Sequence, residues 1–231
     1  MFNIPPFMPL AMHFFRPPPP IIDRVTYRLP DNQYVPEEVA KSGIVLHHSV
    51  SRNISSIFSW WVEKGQRKVL RVGTAYVIDT DGTIYEFFPD TCWAWHLGHG
   101  NGTANEMRTI GIEIVSEGPL IKTEGGYRSV LGNILHYDQT MVEDLGKEWR
   151  DYQYFDKYES EQIQAVVSLI NYLCDKHHIV RKVIQNLWDY DEEIKSFEGV
   201  YTHAQVRADK SDVHPHFPIA QVAYWAKLEL V

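Results

Sequence analysis

Residues 43–49 read Gly43-Ile44-Val45-Leu46-His47-His48-Ser49, an apolar run that ends abruptly in two imidazoles. Branched aliphatics bounded by glycine and polar residues predict a short buried strand over Gly43–His48. Adjacent residues of a strand point to opposite faces, so only one of the two histidines can line a given site. We assign that place to His47. A second run, Thr109-Ile110-Gly111-Ile112-Glu113-Ile114-Val115, predicts another central strand. Its one carboxylate alternates away from Ile110, Ile112 and Ile114, and an ionised side chain is costly to bury among them, so Glu113 is expected to face a cleft.

Outward from these strands the hydrophobic period changes. Between Ser51 and Gln66, residues Ile54, Ile57, Phe58, Trp61 and Val62 fall on one face of a predicted helix that stops near Gly65. Ala75–Asp79 and Thr83–Phe88 flank Thr80-Asp81-Gly82, the short turn of a hairpin. Glu159–His178 is the strongest helical pattern, with Ile163, Val166, Val167, Ile170, Leu173 and Cys174 in one stripe and Ser160 as the expected N-cap. A last helix is predicted over Ile219–Leu228, after Pro218. Strands interleaved with helices predict a single α/β domain with a central mixed sheet flanked by helices. Residues 116–157 have no clear period and read as an insertion with a short helix around Met141–Trp149. Arg16-Pro17-Pro18-Pro19-Pro20 can supply neither helix nor ladder donors and predicts an extended arm. We therefore expect residues 1–30 to be a proline-rich arm and 31–231 the folded domain.

The 231 residues carry a formal net charge of -8 and contain no basic run, which argues against a nucleic-acid binder because phosphate neutralisation needs clustered Lys and Arg. Cys92 and Cys174 are the two cysteines, too few for a disulfide framework. The longest apolar stretches are far shorter than the roughly 20 residues of a membrane span. Met1–Phe15 is interrupted by Pro5, Pro6 and Pro9 and lacks a basic start, a poor fit to a signal peptide. Oligomeric state is not legible.

Further along lie Tyr201-Thr202-His203 and Lys210-Ser211-Asp212. Lys210 and Asp212, two apart in extended chain, project to the same side. Singly, each of these groups has an ordinary reading: a hydrogen-bonded strand-end histidine, or a solvated surface charge. Together, two imidazoles and a carboxylate can hold a catalytic zinc ion (Zn²⁺) with one position open, while a separate Glu and Lys do proton and charge work.

At this point the chain resembles the zinc-dependent N-acetylmuramoyl-L-alanine amidases of the amidase-2 class, which share a fold with phage amidase lysozymes and peptidoglycan recognition proteins. The matching pieces are residues 44–49, 75–85, Trp95-His96-Leu97-Gly98, Ile110-Gly111-Ile112-Glu113, and His203 with Lys210 and Asp212. They run in the family's order over about residues 43–228. The resemblance implies His47, His203 and Asp212 as zinc ligands, Glu113 as catalytic glutamate and Lys210 as the residue that steadies the oxyanion. It implies His96 on the groove; separately, the aromatics Tyr76, Trp93 and Trp95 are expected near the cleft, able to stack on sugar or peptide and with no catalytic role. The implied reaction is hydrolysis of the amide between N-acetylmuramic acid and L-alanine in peptidoglycan or muropeptides, by an endolysin-like enzyme; the poor fit to a signal peptide points to a cytoplasmic or phage-associated enzyme acting on the cell wall. Alternatives are a non-catalytic peptidoglycan-binding module, or a zinc peptidase or amidohydrolase cutting another bond. The sequence departs from the family where Thr202 precedes His203, between His203 and Lys210, and where Val213-His214-Pro215-His216 follows Asp212. His214 and His216 thus remain alternatives for the third ligand.

Overall fold

Parallel strands buried on both faces need nearly continuous aliphatic runs, and the two decisive stretches provide them. In the computed structural model, which describes residues 18–66, 71–98, 102–132, 134–135 and 139–231, the chain opens with β1 (Ile22–Asp23), β2 (Gly43–His48) and α1 (Ile54–Gln66). It continues through β3 (Tyr76–Ile78), β4 (Ile84–Glu86), α2 (Thr103–Arg108) and β5 (Thr109–Ile114). The inserted segment holds β6 (Pro119–Thr123), β7 (Gly126–Ser129), β8 (Ile134–Leu135), β9 (Val142–Trp149) and β10 (Tyr152–Asp156). The last part comprises α3 (Ser160–His177), β11 (Lys182–Val183), β12 (Gly199–Thr202), α4 (His203–Val206), α5 (Ile219–Ala226) and β13 (Glu229–Leu230).

The main sheet has eight strands in the order β1-β4-β3-β5-β2-β12-β11-β13. Its β3–β4 pair is antiparallel and the other pairs are parallel, so the expected mixed sheet is present. The expected hairpin turn closes with Gly82 N–H on the Asp79 carbonyl at 2.9 Å. One face, including Ile44, Leu46, Ile110, Ile112 and Ile114, forms the main core with the stripes of α3 and α5. Val45 and Tyr201 point the other way, into a smaller cluster with Leu97 and Val206. In register, Tyr201 lies beside Val45, Val45 beside Gly111 and His47 beside Glu113. That second face therefore turns from apolar to polar at the carboxyl ends of its parallel strands, the usual place for a site in such sheets.

The helices begin where side chains satisfy their free N–H groups. Asn53 Oδ1 accepts from Ser56 N at 3.0 Å at the start of α1. The α3 cap is Glu159, one residue before the expected Ser160, in a reciprocal capping box with Gln162. Residues 1–17 of the expected arm lie outside the described residues, and Ile22–Asp23 already pair with β4.

The described residues between 119 and 156 correct the expectation of a short helix around Met141–Trp149, where only a 3-10 turn at Gln139–Met141 precedes β9. They form a separate five-stranded sheet, order β8-β7-β6-β10-β9, antiparallel throughout. The misreading has a physical cause: β9 is an edge strand paired with β10 alone, and its buried residues are Leu145 and Trp149. Four apart, they imitate the spacing of a helical face. The β9–β10 reversal is the two-residue loop Arg150-Asp151, with φ of 52° and 69°, as a tight hairpin of twisted strands requires. At its root the insertion is sewn to the domain by Asp156, which accepts from Arg52 Nε and Nη2 at 2.8 Å each and from Glu117 N at 2.7 Å.

Candidate active site

His47 is the next-to-last residue of β2, and His203 follows β12 as the first residue of α4. The loop after α4 returns so that Ala204 N–H bonds the Asp212 carbonyl at 2.7 Å. His47 Nδ1 and His203 Nδ1 are 3.0 Å apart, and Asp212 Oδ2 lies 3.1 Å from the first and 3.0 Å from the second. All three side chains are buried.

Which atoms carry protons follows from the outer partners. Thr109 Oγ1 donates to the Asn105 carbonyl at 2.7 Å, so it is left to accept from His96 Nε2–H at 2.9 Å. Burial, reinforced by His47 and His203, holds His96 well below the usual histidine range, so the ring is neutral and its Nδ1 is an acceptor. His47 Nε2–H donates to it at 2.9 Å, which leaves His47 Nδ1 with a lone pair. His203 Nε2 faces the Leu97 carbonyl at 3.2 Å; a carbonyl only accepts, so the neutral ring places its proton on Nε2 and its lone pair on Nδ1. Such outer hydrogen bonds are how proteins select the ligating tautomer of a histidine.

Charge agrees with this picture. Burial, then the neighbouring His203, lowers His47 to about 4, against the opposing pull of Asp212. Burial works to raise Asp212, but the facing His203 and His47 imidazoles outweigh it and hold the carboxyl well below its usual range. Two nitrogen lone pairs and one carboxylate oxygen therefore converge on one point. Three ligands of a tetrahedral zinc site bonded at about 2.0–2.1 Å lie about 3.3 Å apart, close to the separations here. The donor set fits a divalent metal.

Glu113 and Lys210 line the same cavity of about 420 Å³ as these three groups. Burial, then the charge of Asp212, pushes Glu113 up to about 8, with Lys210 opposing. Trp60 and Trp61 of α1 and Pro119, Val130 and Tyr152 of the insertion complete much of the wall.

Residues 38–216 match the Amidase_2 family, N-acetylmuramoyl-L-alanine amidase. The chain belongs to this family. Among curated proteins none matches it. Among solved structures, the N-acetylmuramoyl-L-alanine amidase LysC from Clostridium intestinale URNW is similar at 18% identity and a TM-score of 0.51, over 91% of this chain and 99% of that one. The endolysin amidase LysCS from the same organism gives 18%, 0.52, 91% and 98%, and a mutant of PlyL gives 13%, 0.51, 90% and 96%. At such identities these structures speak for the fold, and the family match makes the protein an amidase.

The remaining expectations for this amidase family member divide. His96 does lie at the cleft, bonded to His47 rather than in the converging triad. Trp95, half-buried, lines a small adjoining cavity of about 150 Å³ with His96, Arg207 and Lys210. Tyr76 is a correction: it is fully buried in the main core, and its hydroxyl donates to Asp90 at 2.8 Å. Its place in β3 beside Ile112 turns it to the helix-covered face, away from the cleft. Trp93 is buried too, its indole N–H on Glu37 at 3.3 Å. His48 turns from the triad to the Tyr158 hydroxyl at 2.7 Å. His214 stacks on Tyr158 at 4.8 Å, and His216 pairs with Glu143 at 2.7 Å, so neither joins the converging groups.

Sequence reasoning missed the supporting shell. Glu106, fully buried on α2, accepts from His96 N at 2.8 Å and Leu97 N at 3.0 Å and so fixes the loop that carries both second partners. Burial, though opposed by those bonds, pushes it up to about 7. Two glycines make the fit possible. A Cβ on Gly111 would stand 2.8 Å from Thr74 Cγ2 and 3.1 Å from His96 Nδ1, and Gly98, with φ +80°, is covered by the Arg207 guanidinium. The Gly in Trp-His-Leu-Gly was the available signal for that close approach.

Proposed function

We propose that this protein hydrolyses the amide between the lactyl group of N-acetylmuramic acid and L-alanine in peptidoglycan or its muropeptide fragments, with zinc held by His47, His203 and Asp212. The observation that carries this reading is the convergence of two bare imidazole nitrogens and one carboxylate oxygen beside a Glu and a Lys in one cavity, in a member of the amidase family. When bound there, zinc supplies Lewis acidity, lowering the pKa of a water to about 7 and polarising a carbonyl.

The chain's own residues do the rest. Glu113, on the neighbouring strand position to His47, takes the proton of the attacking water and delivers it to the leaving amine of L-alanine. Lys210 sets its ammonium against the oxygen on which negative charge grows, a contribution made in the transition state. The tryptophans of α1 and the inserted sheet bound the space for glycan and stem peptide.

The test is digestion of purified cell wall with zinc content measured on the same protein. Glu113→Gln is expected to keep zinc and fold while turnover falls about 100-fold or more, and His47→Ala to lose the zinc. Products should be intact glycan and intact stem peptides with new L-alanyl amines. A zinc-free protein that binds peptidoglycan without releasing amines would make it a binding module, and cleavage within the stem peptide would make it a peptidase.

A further inference from the structure

Besides the side chains it lends to the cavity wall, the insertion reaches the 203–212 loop through the tip of its β9–β10 hairpin. Arg150, in the β9–β10 reversal, donates from Nη1 to the carbonyls of Arg207 at 2.6 Å and Lys210 at 2.5 Å, and from Nη2 to the carbonyl of Ala204 at 2.8 Å. Those carbonyls lie directly after His203 and on either side of the turn that leads to Asp212. The guanidinium lies over the Trp149 ring at 4.9 Å. Trp149 is itself fixed by its indole N–H on the Trp188 carbonyl at 2.7 Å and by packing against Leu145, Phe155 and Ala204.

We infer that Arg150 is a positioning residue, through which the inserted sheet holds the 203–212 loop in the arrangement that brings Lys210 and Asp212 to the cleft. The inference rests on the functional reading above for what Lys210 and Asp212 do, and on the hydrogen bonds alone for the clamp itself. The loop's internal main-chain bonds are few: Arg207 N on His203 O at 3.0 Å, Lys210 N on Arg207 O at 3.2 Å, and Ala204 N on Asp212 O at 2.7 Å. None of these occupies the Ala204 or Lys210 carbonyl. A planar fork with five donors can serve three carbonyls at once, whereas an ammonium on a flexible stem cannot hold the same geometry. The hairpin's left-handed backbone at Arg150 and Asp151 aims the fork, and the stack on Trp149 limits its rotation.

The test compares wild type, Arg150→Ala, Arg150→Lys and Gln153→Ala, the last changing an exposed contact to Asp144 in the same hairpin. Three readouts are taken: amide hydrogen exchange of residues 204–212 in chelator-treated protein, the zinc dissociation constant by competition, and kcat and KM on muropeptide. Arg150→Ala is expected to exchange at least tenfold faster in this loop with β2 and β5 still protected, to bind zinc about 10–100-fold more weakly, and to lose kcat with KM within about twofold because Lys210 acts on the transition state. Arg150→Lys should fall between Ala and wild type, and Gln153→Ala should match wild type. Loop exchange and zinc affinity of Arg150→Ala within twofold of wild type would overturn the inference, as would full function in Arg150→Lys. The exchange readout needs neither zinc nor substrate. If wild type itself neither binds zinc nor releases amines, the functional reading falls while the clamp is still decided.

Discussion

Strand alternation admits one of His47 and His48 to the site, but the atom His47 offers there is decided by His96, Thr109 and the Asn105 carbonyl in series. Replacing His96 by Phe removes the acceptor for His47 Nε2–H, frees the wrong tautomer and should weaken zinc about 10–100-fold. His96→Gln retains an acceptor oxygen and should recover part of that loss. Competition with a chelator measures both, and a melting temperature near wild type shows that the core is intact. At this scale His47 and His203 stood out as imidazoles at the ends of apolar runs, while Asp212, in the polar stretch Asp209-Lys210-Ser211-Asp212, came from the family resemblance. The supporting residues were not legible. A threonine, a main-chain carbonyl and a buried Glu106 leave no periodic trace, since their meaning lies in what they face.

Among the elements, β2 was legible to the residue, and α3 nearly so, because long or fully buried patterns dominate local preference. Two-residue strands such as β11 and β13 hold too few residues to show alternation, and β9 imitated a helix. The start of α3 also shows a side chain doing two jobs. Gln162 accepts from Glu159 N at 3.0 Å and donates to the Val115 carbonyl at 2.8 Å, tying the helix to the end of β5. Gln162→Ala leaves both groups unsatisfied and should cost about 1–3 kcal/mol, read from the urea midpoint at unchanged slope. No loss at all would mean that water replaces both bonds without penalty.

For the molecule as a whole, stability should depend on acid through a network on the helix-covered side of the main sheet, outside the cleft lining. Asp90 receives the Tyr76 hydroxyl at 2.8 Å and Lys176 Nζ at 2.8 and 2.9 Å, with His177 Nε2 at 3.1 Å. Nearby, Arg24 and Arg28 reach Glu86 at 2.9 and 3.0 Å. Burial works to raise Asp90, but the neighbouring His177 and the bonds from Lys176 and Tyr76 prevail and hold it far below the usual carboxylate range. A carboxylate whose folded pKa is depressed stabilises the fold above its unfolded value of about 3.9, and that contribution disappears as pH falls through the lower folded value. Asp90→Asn should therefore unfold more easily than wild type at pH 7, and the gap should close as pH drops below about 3.9. Urea curves across that range test it; a gap independent of pH would point to packing instead of charge. No described helix is long and apolar enough to cross a membrane.

The margins of the main sheet carry one more consequence. They are β1 and β13, two residues each, while the long margin of the inserted sheet, β9, bears Glu143, Asp144, Lys147 and Glu148. Stubby or heavily charged borders give a second copy little main chain to zip onto. Crowded solutions of this enzyme should stay clear of fibre-like stacking, and neutralising those four charges is where such stacking would first begin.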